Sequence, residues 1–408
     1  MVLTNAMEAP ALNSRRDYPE PILPVHPMLT RDSFAGPRQS VVTSILDAGH
    51  VVFLTSARFG IARALMLARA GSGDEVLLPA FNCPAMISPV SWSGATPLFY
   101  RIHEDLAIDV NDVRSKVTSR TKALIAVHYF GFHQRLELLQ DLCKEEGIAL
   151  IEDCAHCFYG DDRGAPIGSR GDYAVGSLWK FFPVFDGGCL VSKNASILER
   201  SPARGSALFQ LKSAVRVLER SRAYGTLPFA PILGPLLASK EWAWSMAKDA
   251  LSASRGDLAP TSTEAGYDFE PDWLYVAMSY FSQAVVRAIS HERAVITRRK
   301  NFQQLVNGLS THRGVRPIFS SLPEGVVPYM LPLYVDRPES MFGRLKLAGV
   351  PLLRWEDATI DACSVTARYA RHLFLLPCHQ ELSADDLEWI LNRIESAVAP
   401  LATEKAPS

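Results

Sequence analysis

Between residues 51 and 152 short apolar runs alternate with helical stretches, and this rhythm restricts the fold more than any other feature of the chain. Residues 51–54, 75–79, 96–100, 123–128 and 149–152 read as strands. Residues 61–70, 83–93, 111–117 and 137–146 read as helices between them. Strands that are apolar along their length suit burial on both faces, and helical crossovers suit parallel neighbours. The expectation is an α/β fold: a large, doubly wound, mostly parallel sheet covered by helices on both faces.

After Asp172 the rhythm changes. Residues 173–178 and 188–192 read as strands with no helix between them. Residues 207–251 carry Lys212, Arg216, Arg220 and Arg222, then an apolar run, 227–237, broken by Pro228, Pro231 and Pro235. Residues 279–309 read as one long Arg-bearing amphipathic helix. Residues 329–335, 341–348 and 350–353 suggest a strand, a helix and a strand of a small α+β domain. Its closing helix, 383–398, has Ser383 as N-cap and Asp385 and Asp386 in the first turn, where the dipole favours them. The division expected is an arm (1–38), a large domain (39–265, with an insertion at about 205–265), a connecting helix (266–310) and a small C-terminal domain (311–408). The arm holds Pro10, Pro19, Pro21, Pro24, Pro27 and Pro37 without periodicity, as for an extended segment laid over a surface or a partner subunit.

Composition bounds the partners. Lys+Arg 42 against Asp+Glu 43 gives a net charge of −1, so no global electrostatic attraction to nucleic acid is expected. Seven scattered cysteines suit reduced thiols in a cytoplasmic protein better than a disulfide framework. No secretory signal and no membrane-spanning run is read from the chain. Mean hydropathy is +0.05, and part of that apolar excess lies in 227–237. We read that run as buried in protein rather than lying on a membrane surface, although Trp242 and Trp244 beyond it are compatible with an interfacial helix.

The residues that carry chemistry follow the strands, where open parallel sheets bind their ligands. Ser56-Ala57-Arg58 lies between a strand and a helix, where free N–H groups and an arginine suit a phosphate; a capped helix with a solvated arginine is the plainer reading. Asp153 directly follows a strand, in Ile151-Glu-Asp-Cys-Ala-His156, and suits either holding a proton on a ring nitrogen or capping a helix. Lys180 follows another, flanked by Trp179, Phe181 and Phe182. Desolvation there frees its amine as a nucleophile. The alternative is a lysine snorkelling over an apolar surface. Asp186-Gly187-Gly188 is a tight turn. Together these fit one chemistry: pyridoxal 5′-phosphate (PLP) held as a Schiff base by Lys180, its ring nitrogen paired with Asp153, its phosphate near Ser56, Arg58 and Ser177. Cys154, His156 and Cys157 lack the second pair of ligands that a structural zinc needs, so no metal is expected. His128 reads equally as facing the cofactor or as a structural histidine.

At this point the sequence resembles the DegT/DnrJ/StrS family of PLP-dependent sugar aminotransferases. The resemblance rests on Gly71-Ser-Gly-Asp-Glu-Val-Leu-Leu-Pro79, Gly94-Ala-Thr-Pro97, Thr118-Ser-Arg-Thr-Lys-Ala123, Val127-His-Tyr-Phe-Gly131, Ile151–His156 and Ser177-Leu-Trp-Lys180 followed by Asp186-Gly-Gly188. It implies fold type I and a homodimer with active sites at the subunit interface. It also implies transfer of an amino group from an amino acid, expected to be L-glutamate, to a keto sugar, expected to be nucleotide-linked, in polysaccharide or secondary-metabolite biosynthesis. Lys180 and Asp153 would be catalytic. Ser177, Ser56, Ala57 and Arg58 would bind phosphate, and His156 would lie near the ring oxygen or ring edge. The family's phosphate turn Ser-Gly-Thr reads Ser56-Ala57-Arg58 here, and its ring-stacking aromatic corresponds to Cys83. These departures keep other readings open: a non-sugar ketone, a dehydratase or lyase, or a non-catalytic regulatory homologue. Lys180 speaks for transamination, since related sugar dehydratases replace the lysine.

Overall fold

The computed structural model describes residues 18–36, 42–227, 269–355 and 358–398. A first group of elements builds a seven-stranded sheet. It comprises β1 (His50–Leu54), α1 (Ala57–Leu67), β2 (Glu75–Pro79), α2 (Pro84–Ser93), β3 (Thr96–Tyr100), α3 (Val110–Lys116), β4 (Thr121–Val127), α4 (Glu137–Glu146) and β5 (Ala149–Asp153). A two-residue ribbon, β6 (Asp161–Asp162) with β7 (Ala165–Pro166), precedes β8 (Tyr173–Ser177) and β9 (Gly188–Ser192). The order across the large sheet is β1-β9-β8-β5-β4-β2-β3.

Neighbours from β8 through β3 are parallel, while β9 is antiparallel to both β8 and β1. The short link between β8 and β9 has no room for a helical crossover, so the chain returns antiparallel. All five residues of β2 are buried, as expected of a strand covered on both faces. Helix ends follow local chemistry: Pro84 opens α2 and Gly94, at φ 84°, closes it; Gly147, at φ 66°, closes α4.

The remaining elements are α5 (Ala207–Ala223), α6 (Tyr280–Ala288), α7 (His291–Leu309), β10 (Val315–Pro317), β11 (Met330–Val335), α8 (Pro338–Leu347), β12 (Leu353–Arg354), α9 (Ser364–His372), β13 (Leu373–Pro377) and α10 (Ala384–Val398). Four of them form an antiparallel sheet ordered β10-β11-β13-β12. One apolar core runs through both sheets, from Leu54 and Val175 to Phe302, Leu333 and Ile390.

Three expectations change. The single helix over 279–309 is two helices: Ile289 is extended (φ −72°, ψ 158°), and the Ser290 hydroxyl accepts the Arg293 N–H to start a new one. The strand over 350–353 shrinks to Leu353–Arg354, and α9 with β13 was not foreseen. The closing helix keeps its cap: the Ser383 hydroxyl accepts the Asp386 N–H while the Asp386 carboxylate accepts the Ser383 N–H. Of the apolar run 227–237, Leu227 is buried. The rest of that run, with Trp242 and Trp244, lies outside the described residues.

The arm from Tyr18 to Gly36 lies on its own chain. The Ile22 N–H donates to the Gly349 carbonyl (2.8 Å), His379 Nε2 bonds the Pro24 carbonyl (2.9 Å), and the Leu29 N–H donates to Ser221 Oγ (3.0 Å). Thr30 and Ser33 hydroxyls donate to Glu381, which Arg293 also grips.

Candidate active site

Ser56, Ala57, Arg58, Cys83, Asp153, His156, Ser177 and Lys180 all line one cavity, and Trp179 and Trp355 share its wall. Four turns at the C-terminal ends of β1, β2, β5 and β8 bring them there, since these strands lie side by side or one strand apart. A wider cleft, lined by Asp105, His133, Glu137 and Glu324 among others, includes neither Lys180 nor Asp153. We therefore locate the chemistry in the smaller cavity.

Asp153 ends β5, and its Oδ1 accepts the Ala155 N–H at 2.8 Å. Burial raises its carboxyl pKa, opposed by that N–H and by Lys180. The other carboxylate oxygen accepts no hydrogen bond among the described residues. Lys180 ends the turn that follows β8. Burial lowers its ammonium pKa, opposed by Cys83 and Asp153. Its Nζ lies 5.9 Å from the centre of the Trp179 ring and 5.5 Å from that of Tyr329. The apolar seat expected from Phe181 and Phe182 is present, both being fully buried.

The turn ending β1 needs Gly188. A Cβ there would lie 2.3 Å from the Ser56 carbonyl carbon and 2.4 Å from the Ala57 nitrogen. This glycine on β9 lets the start of α1 approach, although the turn itself carries no glycine. Ser56 occupies the N-cap of α1, yet its hydroxyl caps no helix N–H. Arg58 is buried on the same wall.

Cys83 is the N-cap residue of α2, and burial raises its thiol pKa. Phe81 packs against Trp355 (4.6 Å) and Tyr129 (5.4 Å) and is absent from the cavity wall. The aromatic surfaces on the wall itself are Trp179 and Trp355. His156 is stacked between Phe130 (5.4 Å) and Tyr329 (4.7 Å). Burial, with Lys180 and His26 nearby, lowers its pKa well below the usual range. His156 Nδ1 is buried with no hydrogen-bond partner among the described residues.

His128 is structural. The Gln134 N–H donates to its Nδ1 (3.0 Å), which places the ring proton on Nε2, donated to Glu152 Oε2 (2.9 Å). Glu152 Oε1 accepts the Arg170 and Gly171 N–H groups, both at 2.6 Å. Burial opposes ionisation of Glu152, but these donors outweigh it and hold its pKa down. Cys154 lies beside this pair, but burial raises its thiol pKa well above normal. A saturated acid, a committed imidazole and a neutral thiol make a poor metal site. Cys154 and Cys157 are fully buried and absent from the cavity wall, whereas Cys83 reaches it.

Residues 39–208 match the DegT/DnrJ/EryC1/StrS aminotransferase family. Over that stretch, less than half of the chain, the sequence is similar to this family. A GDP-perosamine synthase from Vibrio cholerae is 32% identical over 158 residues, 38% of this chain and 43% of that protein. A UDP-N-acetyl-3-dehydro-alpha-D-glucosamine 3-aminotransferase from Acidithiobacillus ferrooxidans is 31% identical over 166 residues, 39% of this chain and 44% of that protein. The chain thus spans less than half the length of these curated family relatives. Among solved structures, the aminotransferase TlmJ from Streptoalloteichus hindustanus superposes with a TM-score of 0.61 at 22% identity, covering 86% of this chain and 87% of that one. A 3-amino-5-hydroxybenzoic acid synthase gives 0.60 at 18% identity, covering 87% and 88%. The fold is that of the fold type I PLP-dependent transferases.

Proposed function

We propose that the protein is a PLP-dependent aminotransferase carrying an amino group from an amino acid, L-glutamate, to the keto group of a nucleotide-linked sugar. Lys180 carries this reading: it is a desolvated amine on the same cavity wall as a buried carboxylate from the adjacent strand. The names of the family relatives support the sugar acceptor. A homodimer acting in the cytoplasm completes the proposal. Among the described residues no helix is long and apolar enough to cross a membrane.

The residues fit the cofactor. Asp153 has an uncommitted oxygen for a ring N–H, and the unpartnered His156 Nδ1 is a buried polar atom that a ring oxygen would satisfy. When bound, PLP supplies an electron sink for the pair left on a substrate carbon after proton removal. Lys180 would hold the cofactor aldehyde. Displaced by the amino donor, it would take and return the proton at the substrate carbon, a task suited to an amine with a lowered pKa. Asp153 would keep the ring nitrogen protonated, ionising once it meets that positive charge. The N-terminal N–H groups of α1, with Ser56, Ser177 and Arg58, would hold the phosphate. Trp179 and Trp355 would exclude water from one side.

Mixing cofactor-free protein with PLP should give the visible absorbance of a lysine-bound cofactor. L-glutamate should bleach it, and one member of a panel of nucleotide-linked keto sugars should restore it. Lys180→Ala should abolish the band. Absence of the band in the unsubstituted protein would overturn the assignment, and restoration by a non-sugar ketone alone would move the acceptor.

A further inference from the structure

The arm is a Pro-rich strip with no periodicity, yet one of its side chains reaches the two rings beside Lys180. His26 is 7% exposed. Its ring lies 4.6 Å from that of Trp179 and 6.1 Å from that of Tyr329, stacked on the latter at 24°. Its Nε2 is 2.9 Å from the Tyr329 hydroxyl. Those two rings are also the ones that face Lys180 Nζ. His26 thus touches both members of the aromatic pair that seats the lysine. The backbone bond from Ile22 N–H to the Gly349 carbonyl and the His379 Nε2 bond to the Pro24 carbonyl hold the arm on the near side of it, and the Leu29 N–H bond to Ser221 Oγ holds it on the far side.

We propose that His26 is a positioning residue for Lys180, a wedge that fixes Trp179 and Tyr329 against the amine and closes that side of the cavity to water. This rests on Lys180 being the reactive amine. The wedge acts as a neutral ring. Burial first, then the positive charges of Arg220 on α5, Lys180 and Arg298 on α7, with His379 beside them, keep His26 unprotonated. Among the described residues, the ionisable groups around Lys180 are Asp153 from β5, Cys83 at the start of α2, Tyr329, whose phenol pKa burial raises, and the two neutral histidines, His26 and His156. Removing the His26 ring opens a space bordered by the Tyr329 hydroxyl, polar enough to admit water. Hydration of the amine then favours its charged form.

The experiment measures the Lys180 pKa in cofactor-free protein. Brief acetylation with labelled acetic anhydride is run at a series of pH values and quantified by mass spectrometry on the peptide containing Lys180. His26→Ala should raise the inflection by about one unit, roughly a tenfold loss of free amine at neutral pH. His26→Phe, which keeps a ring but no hydrogen bond to Tyr329, should retain the unsubstituted value. A purely structural role would lower the melting temperature without moving the inflection. An unshifted inflection in folded His26→Ala overturns the proposal. If that variant fails to fold, Trp179→Leu takes its place with the same expected rise, and no rise is again fatal. A visible PLP band on Lys180 together with an unshifted inflection would leave the enzymatic reading standing while removing this one.

Discussion

Arg298 shows how much of the site is held by residues that never touch it. Its side chain is completely buried on α7 with no carboxylate within bonding distance among the described residues, and burial lowers its pKa. It donates instead to Gln380 Oε1 and to the carbonyls of Pro328, Tyr329, Lys180 and Phe181, with its guanidinium 4.6 Å from the Phe181 ring. One planar fork therefore ties the backbone of Lys180 to that of Tyr329. Lysine cannot span these acceptors. Arg298→Lys should cost about 3 kcal/mol in denaturant unfolding, because buried acceptors lose their charged donors. At this scale the sequence predicted which side chains share a cavity wall where they end an apolar strand or the turn after it, as at Asp153 and Lys180. Tyr329, Trp355 and His26 escaped because their spacing carries no signal: His26 meets its partner across 303 residues.

Among elements, the turns at the strand ends depend on what crosses beneath them. Gly188 lies on β9, but its missing side chain determines where α1 begins. Gly188→Ala should displace the Ser56–Ala57 backbone, since no flexible side chain can yield there. PLP affinity, titrated on cofactor-free protein, should fall by about tenfold or more, ~1.4 kcal/mol. The large-sheet elements were legible because each strand is an apolar run bounded by turn residues. The break at Ile289 was not, because hydrophobic spacing continues from α6 into α7 and only Ser290 marks the restart. Asp186 holds the other end of α6. Its carboxylate accepts from the hydroxyls of Ser213, Ser279 and Ser282 and from the Ser279 N–H, binding the turn after Lys180 to α5 and α6.

For the whole molecule, buried neutral histidines set the response to acid. Burial lowers the pKa of His26 and His156 well below normal, that of His133 to about 4 and that of His379 to about 3. Unfolded histidine takes up a proton near 6.5, so below that pH the unfolded chain binds protons that the folded chain refuses. Stability should therefore fall as pH drops from about 6.5 toward 4, by up to ~1.4 kcal/mol per pH unit for each such group. Melting temperatures at pH 7, 6 and 5 measure it, and a flat profile would contradict the burial of these rings. The arm adds a constraint of timing. Residues 22–33 are synthesised more than 300 residues before Gly349, His379 and Glu381, which hold them. The nascent chain must keep residues 22–33 undocked while the large sheet forms, and the wall beside Lys180 closes only after residue 381 has been translated.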